Sequence, residues 1–232
     1  MKDTLKIKTH HWGPYPPIQK VVTELAAEKK LIVEISPGNI PFALASEFVD
    51  WQVSPALAGK KVHCLDINQN SLPYQDKSVD FIYCRNTLED IYNPVWVCQE
   101  MSRVAKAGFI ETPSPIAECC RGVDGSAPHW RGYHHHRYVI WVDETRLTFI
   151  PKYPIIEYLN FGNEEENMVK ILNSSPLYWN TYFFWNDSLE TKLLNHVTDF
   201  NIIATYPEVL TEAMEQCMAN NMDLALKYGI DF

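Results

Sequence analysis

What the chain lacks narrows its function first. No apolar run approaches the roughly 18 residues that a membrane-crossing helix requires, so no span is expected. Positive charge is scarce: 20 lysines and arginines face 29 aspartates and glutamates, for a net charge of -9. A general binder of bulk nucleic acid needs a basic surface to neutralise phosphates, so that class is excluded. Only Lys2, Lys6 and Lys8 suggest a local basic patch. Residues 1–8 alternate in charge and hold no apolar h-region, so a secretory signal is not expected. Glycine is also sparse, with 9 in 232 residues. The three-glycine fingerprint of a nicotinamide-dependent dehydrogenase is missing. The six cysteines form no regular framework, and they read as reduced thiols in a cytoplasmic compartment. No internal repeat or low-complexity segment interrupts the chain.

What remains is ordinary globular composition, 46% hydrophobic and 21% charged. It suits a single domain over residues 1–232 with room for a buried core. Its parts are a leader and helix (1–30), a ligand-binding half (31–113) and an acceptor-side and C-terminal half (114–232). His10-His11-Trp12-Gly13-Pro14-Tyr15-Pro16-Pro17 is too rich in proline for regular helix. Residues 18–29 then show helical spacing of apolar side chains. Residues 31–35 are a short β-branched run that suits a strand covered on both faces. Ser36-Pro37-Gly38 breaks it. Further strands are expected over 43–49 (ending at Asp50), 61–66, 79–84 and 108–112. A helix is expected over 94–104, with Pro94 at its start. The link from Asp50 to Lys61 is near the minimum for a parallel crossover, so any helix there is vestigial. Strands alternating with helices predict a doubly wound α/β sheet, with ligands at the carboxyl ends of the strands. After Pro113 a loop (114–133) leads to a hairpin of 138–142 and 145–150, with Asp143-Glu144 at the turn. A helix start at Glu164 and a final helix over 207–228 complete the reading.

The ordered phrases Val33-Glu34-Ile35-Ser36-Pro37-Gly38, Phe48-Val49-Asp50, Leu72-Pro73-Tyr74, Val79-Asp80-Phe81, Asn86-Thr87-Leu88-Glu89-Asp90 and Glu111-Thr112-Pro113-Ser114 carry a resemblance. This part of the chain is similar to the class I S-adenosylmethionine-dependent methyltransferases, in the type 11 group. The resemblance implies a Rossmann-like, mostly parallel methyltransferase sheet with a C-terminal β-hairpin and helical additions. It implies S-adenosylmethionine as cofactor and methyl transfer to a small or peripheral acceptor. By the same resemblance Glu34 orients the glycine loop and the methionine amino group. Ser36 and Gly38 pass the methionine and ribose. Asp50 takes the ribose hydroxyls, Asp66 and Ile67 hold the adenine, and Cys84, Arg85 and Asn86 lie beneath the cofactor. Two departures stand out: Ser36 replaces the first loop glycine, and Asp90 replaces a histidine common after the Leu-Glu pair. They keep open a second reading, a methyltransferase fold that has lost catalysis and serves as a binding or scaffold subunit.

An acceptor hydroxyl or ammonium would need a base to remove its proton. The candidates are His134 and His136, which share a face if their segment is extended, together with Glu111 at the end of the 108–112 strand. A metal site joining these histidines to His129, Cys119 or Cys120 fits no standard zinc spacing, and none is expected. A loop packed on the sheet is the structural alternative for the histidines. The aromatic set of Tyr178, Trp179, Tyr182, Phe183, Phe184 and Trp185 reads as core or interface in preference to acceptor pocket, and leaves room for a homodimer. For His10, His11 and Trp12 two readings stay open, a lid that closes over the cofactor and a mobile leader.

Overall fold

The computed structural model describes residues 6–194 and 202–231; Lys2 of the basic group lies outside them. Nine strands and five α-helices are laid out in chain order. They are α1 (Pro16–Ala26), β1 (Ile32–Ile35), β2 (Glu47–Asp50), β3 (Lys61–Cys64), β4 (Phe81–Arg85), α2 (Pro94–Val104) and β5 (Ala107–Pro113). Then follow α3 (Pro115–Cys119), β6 (Tyr138–Asp143), β7 (Arg146–Pro151), α4 (Glu164–Ser174), β8 (Asn180–Asn186), β9 (Thr191–Leu193) and α5 (Ile202–Tyr228). The main sheet has the order β3-β2-β1-β4-β5-β8, and a second sheet has the order β6-β7-β9. Strands β1 to β5 pair in parallel, and β8 adds an antiparallel edge to β5. The order reverses between β1 and β4, which opens a crevice at their carboxyl ends. Among the described residues no helix is long and apolar enough to cross a membrane.

Alternation along the strands assigns the two faces. Ile32, Phe81, Tyr83, Phe109 and Tyr182 pack with α1 and the end of α5 in one core. Val33, Ile35, Ile82, Cys84, Ile110 and Phe183 pack on the opposite face against α2 and the hairpin residues Ile140, Val142, Leu147 and Phe149. The hairpin's other face, Val139, Trp141 and Ile150, covers a third core with α3, α4 and the first half of α5. The hairpin is therefore sandwiched, which explains why its residues are apolar in succession and not alternately polar. The Asp50–Lys61 link holds only the 3-10 turn Pro55–Leu57, in keeping with its length.

The structure departs from the sequence reading in several places: α3 (Pro115–Cys119) lies in the stretch expected to be loop, α1 begins at Pro16 inside the proline-rich leader, and β3 ends at Cys64, short of Asp66. Residues 43–46 turn before β2, with the Ala45 N–H bonded to the Phe42 carbonyl. β5 continues through Pro113 because β8 pairs with it along its whole length, so Glu111 lies inside the strand. The aromatic run forms β8, a strand hidden in the sequence because both its faces are buried and no alternation shows. Trp179, Tyr182, Phe183 and Trp185 are all buried in the chain's own core. α5 begins at Ile202, so Pro207 falls inside it. There the buried Tyr206 ring fixes the path, its hydroxyl donating to the Pro151 carbonyl at 3.0 Å.

Close packing of β8 on β5 rests on Gly108. A Cβ built there would meet the Ile82 carbonyl oxygen and the Trp185 ring at 2.7 Å. Gly108→Ala is expected to destabilise the fold by about 1–3 kcal/mol through overpacking, measured by urea unfolding.

Candidate active site

The carboxyl ends of β1, β2, β3 and β4 converge on one side of the sheet. Glu34 is 2% exposed and accepts the Phe42 N–H at 2.7 Å. This bond spans residues 36–41 and closes them into a loop. Ser36 and Gly38 both take left-handed backbone conformations, at φ 52° and 58°. The Ser36 N–H bonds to the Val49 carbonyl at 2.8 Å, which ties the loop to β2. Burial pushes the Glu34 carboxyl up to about 8, and nearby Asp50 adds to this; the Phe42 N–H, Arg85 and Lys60 pull the other way.

Asp50 ends β2. Its Oδ1 accepts the Trp51 N–H at 2.7 Å, which leaves Oδ2 without a bond among the described residues. Asp66 follows β3, and its carboxylate is bonded locally to the Asn68 N–H, the Asn68 amide and the Gln69 amide at 2.9–3.0 Å. The Asn68 bonds chiefly hold it below the usual carboxylate range. Between these segments lies a cavity of about 330 Å³ lined by Ser36, Trp51, Leu65, Asp66, Ile67, Asn68 and Ile91. Three of the residues expected from sequence, Ser36, Asp66 and Ile67, line it. Cys84 does not: its side chain points into the core under α2, where burial pushes the thiol well up. Trp51, Asn68 and Ile91 were not singled out in the sequence, though Trp51 directly follows Asp50 and Asn68 closes the Asp66 turn.

A second cavity of about 240 Å³ lies on the other side of residues 86–91. Its walls are Asn86, Glu89 and Asp90, then Pro113, Tyr133, His135, His136 and Asn180, with His11 and Trp12 as its cover. The leader is held in place there. The Arg85 guanidinium donates to the Trp12 carbonyl, and the Trp12 ring packs edge-on against Tyr133 at 5.5 Å. Arg85 Nε lies 3.2 Å from Glu111 Oε1, a charge contact whose N–H is not aimed for a hydrogen bond. Asn180 donates to the same oxygen at 2.8 Å. Burial pushes Glu111 up to about 7 against the pull of Arg85.

The histidines diverge. Residues 134–135 form a turn, so the alternation of extended chain does not apply to them. His134 Nδ1 lies 3.0 Å from Asp124 Oδ2, away from the second cavity. His136 is buried, with Nδ1 2.6 Å from Glu118 Oε1, and Lys152 Nζ lies 2.6 Å from the other Glu118 oxygen. Burial pushes Glu118 up, but Lys152 and His136 outweigh it and hold it below the usual range. Burial alone would lower His136; the carboxyls of Glu118, Glu89 and Asp90 outweigh it and raise it. The pair sharing the second cavity is therefore His135 and His136, where sequence spacing paired His134 with His136. Glu118 and Lys152 carried no sequence signal, since they approach from α3 and from just past β7. His129 is exposed, while Cys119 and Cys120 are buried thiols that burial pushes up to about 12.

Comparison with known proteins follows the same segment. Residues 19–110 match the family model described as "Methyltransferase domain". No curated protein sequence matches the chain. Among solved structures, the YcgJ protein of Bacillus subtilis is 16% identical, with a TM-score of 0.35 over 43% of this chain and 52% of its own. A SAM-dependent methyltransferase of Aquifex aeolicus is 20% identical, with a TM-score of 0.33 over 44% of this chain and 65% of its own. An S-adenosylmethionine-dependent methyltransferase of Mesorhizobium loti is 18% identical, with a TM-score of 0.32 over 51% and 56%. The chain thus spans about half to two thirds of the length of these structures.

The Glu34 carboxyl gives a stability prediction. Its ordinary value is 4.5 and its folded value about 8, so between these pH values the unfolded chain binds fewer protons than the folded one. Stability contributed by the protonated acid is therefore lost as pH rises from about 5 to 8, by up to about 1.4 kcal/mol per pH unit. Glu34→Gln removes this titration. Urea unfolding across that range should show a shallower pH slope for the variant than for the wild type.

Proposed function

We propose that the chain, whose residues 19–110 match a methyltransferase domain model, transfers a methyl group from S-adenosylmethionine to a small or peripheral acceptor. The observation that carries the reading is the pair of cavities on either side of residues 86–91, one bordered by the Ser36 loop and the other by buried acids and imidazoles. The residues fit the cofactor. Glu34 is a buried carboxyl with no cation bonded to it among the described residues, suited to the methionine amino group. The left-handed Ser36 and Gly38 turn the backbone around the methionine and ribose. The free oxygen of Asp50 suits the ribose hydroxyls, while Asp66, Ile67 and Asn68 frame the adenine.

When bound, the cofactor supplies an already activated methyl group on a sulfonium, so the protein mainly aligns the reactants and excludes water. Trp12 and His11 cover the acceptor cavity and keep water out. Asn180, fixed by Glu111, and Asn86 offer amide groups that orient an acceptor. Glu111 is thus a positioning residue, and Arg85 holds the leader over the site. His136, with Nδ1 anchored on Glu118, presents Nε2 toward the acceptor to take its proton. His134 is placed to support the loop through Asp124.

Calorimetric titration with S-adenosylmethionine and S-adenosylhomocysteine tests the proposal. Binding of both is expected, with Asp50→Asn weakening each about tenfold or more through loss of a charged hydrogen bond. A cationic amino group beside Glu34 favours its ionised form, so binding near pH 7 should release up to about one proton. The heat will then differ between buffers of different ionisation enthalpy, and Glu34→Gln will abolish that difference. Absence of binding to either ligand would overturn the enzyme reading in favour of a scaffold.

A further inference from the structure

The acceptor cavity holds a group of side chains that proton transfer alone does not account for. His135 Nε2 lies 3.9 Å from Asp90 Oδ1 and His136 Nε2 lies 4.0 Å from the same oxygen. The three ligand atoms are all within 4.8 Å of one another. Ligand atoms at about 2.1 Å from a zinc-class ion stand about 3.4 Å apart in a tetrahedron. Side-chain rotations that close the two gaps to Asp90 by about half an ångström, and the gap between the imidazoles by up to about 1.4 Å, would complete the set. His136 is already prepared as a ligand. The Glu118 carboxylate, itself neutralised by Lys152, takes its Nδ1 hydrogen. The lone pair is thereby directed to Nε2, the carboxylate–histidine arrangement that orients metal-binding imidazoles.

A second observation is independent of that geometry. Glu89 is 1% exposed and lines the same cavity. Among the described residues neither of its carboxyl oxygens has a hydrogen-bond partner beyond its own backbone. A buried carboxyl left without a partner is costly, and one facing two imidazoles and a second carboxylate is a site for a cation.

We propose that Asp90, His135 and His136 bind a divalent first-row transition ion at the mouth of the acceptor cavity, with Glu89 as a further oxygen donor. Imidazole ligands favour zinc, iron, cobalt or nickel over magnesium and calcium. Two histidines and one carboxylate leave open positions, and an ion there would polarise an acceptor oxygen. With the ion bound, His136 serves as a ligand and not as the base. The inference deepens the methyl-transfer reading, but the site is tested with metal alone.

Untagged protein, stripped with chelator, is titrated with Co2+ followed by visible absorption, and with Zn2+ against a chromophoric competitor. One equivalent is expected to bind, with His135→Gln, His136→Gln and Asp90→Asn each weakening it about tenfold or more. His135 is exposed, so its variant should fold even if replacing His136 disturbs Glu118; thermal melting checks each protein. His134→Gln should leave binding unchanged. Absence of stoichiometric binding would overturn the proposal. So would binding that survives His135→Gln and Asp90→Asn, or binding lost only in His134→Gln, which would move the ion to Asp124. Calorimetry with S-adenosylhomocysteine on the same proteins reports the cofactor cavity separately, so failure of one reading leaves the other standing.

Discussion

The Glu34 carboxyl beneath the Phe42 amide is the contact on which the rest of the site depends. β1 lies at the middle of the sheet, between β2 and β4, and every neighbouring loop is placed relative to its end. The Phe42 bond holds the return of the 36–41 loop against β1 at 2.7 Å, while the Ser36 amide fastens its start to β2. This explains what the serine at the first loop position does and does not change. Its φ of 52° is the left-handed turn that a glycine would take freely, and a serine takes it at a cost of about 1–2 kcal/mol. The path of the loop is therefore kept, and the departure is energetic more than geometric.

Buried charge at this edge of the sheet is unevenly matched. Glu118 has Lys152 and His136 within hydrogen-bonding distance, and Glu111 has Arg85 at 3.2 Å. Among the described residues Glu34 and Glu89 have no ion pair, and burial pushes both up to about 8. Glu89 lines the second cavity, and Glu34 lies at the start of the loop whose Ser36 borders the first. An electrostatic surplus of this kind suits cationic ligands, since a positive group entering either cavity gains a carboxylate without displacing an existing partner. A net charge of -9 acts in the same direction at longer range.

The first half of the fold, residues 31–113, is legible in the sequence because its signals are local. β-branched runs of four or five residues, proline at the start of α2 and an acid at the end of β2 each specify their own surroundings. What was not legible was set by tertiary contact. β8 shows no alternation, because the α1 face takes Tyr182 while the α2 face takes Phe183 and Trp185. α5 runs through Pro207 because Tyr206 is anchored on Pro151. The histidine geometry was misread for the same reason. Facing residues were inferred from extended chain, but 134–135 turn, and partners from α3 and the segment after β7 decide where each ring points. The resemblance places Cys84 beneath the cofactor, yet strand alternation turns its side chain into the core under α2.

The segment 86–91 is where the two halves meet. Ile91 borders the first cavity, and Asn86, Glu89 and Asp90 border the second. The Asn86 N–H is bonded to the Glu111 carbonyl at 2.8 Å, and the Glu89 carbonyl accepts the Arg137 N–H at 2.7 Å. One short stretch thus ties β5, the histidine loop and the β3 side together. Asp90 stands where the resembled family commonly has a histidine, but imidazoles still reach this place from residues 135 and 136. The departure at position 90 therefore moves the origin of the ring and adds a carboxylate beside it. A site with both is chemically different from one with a histidine alone, and Glu118, bonded to Lys152 on its other oxygen, fixes the His136 ring.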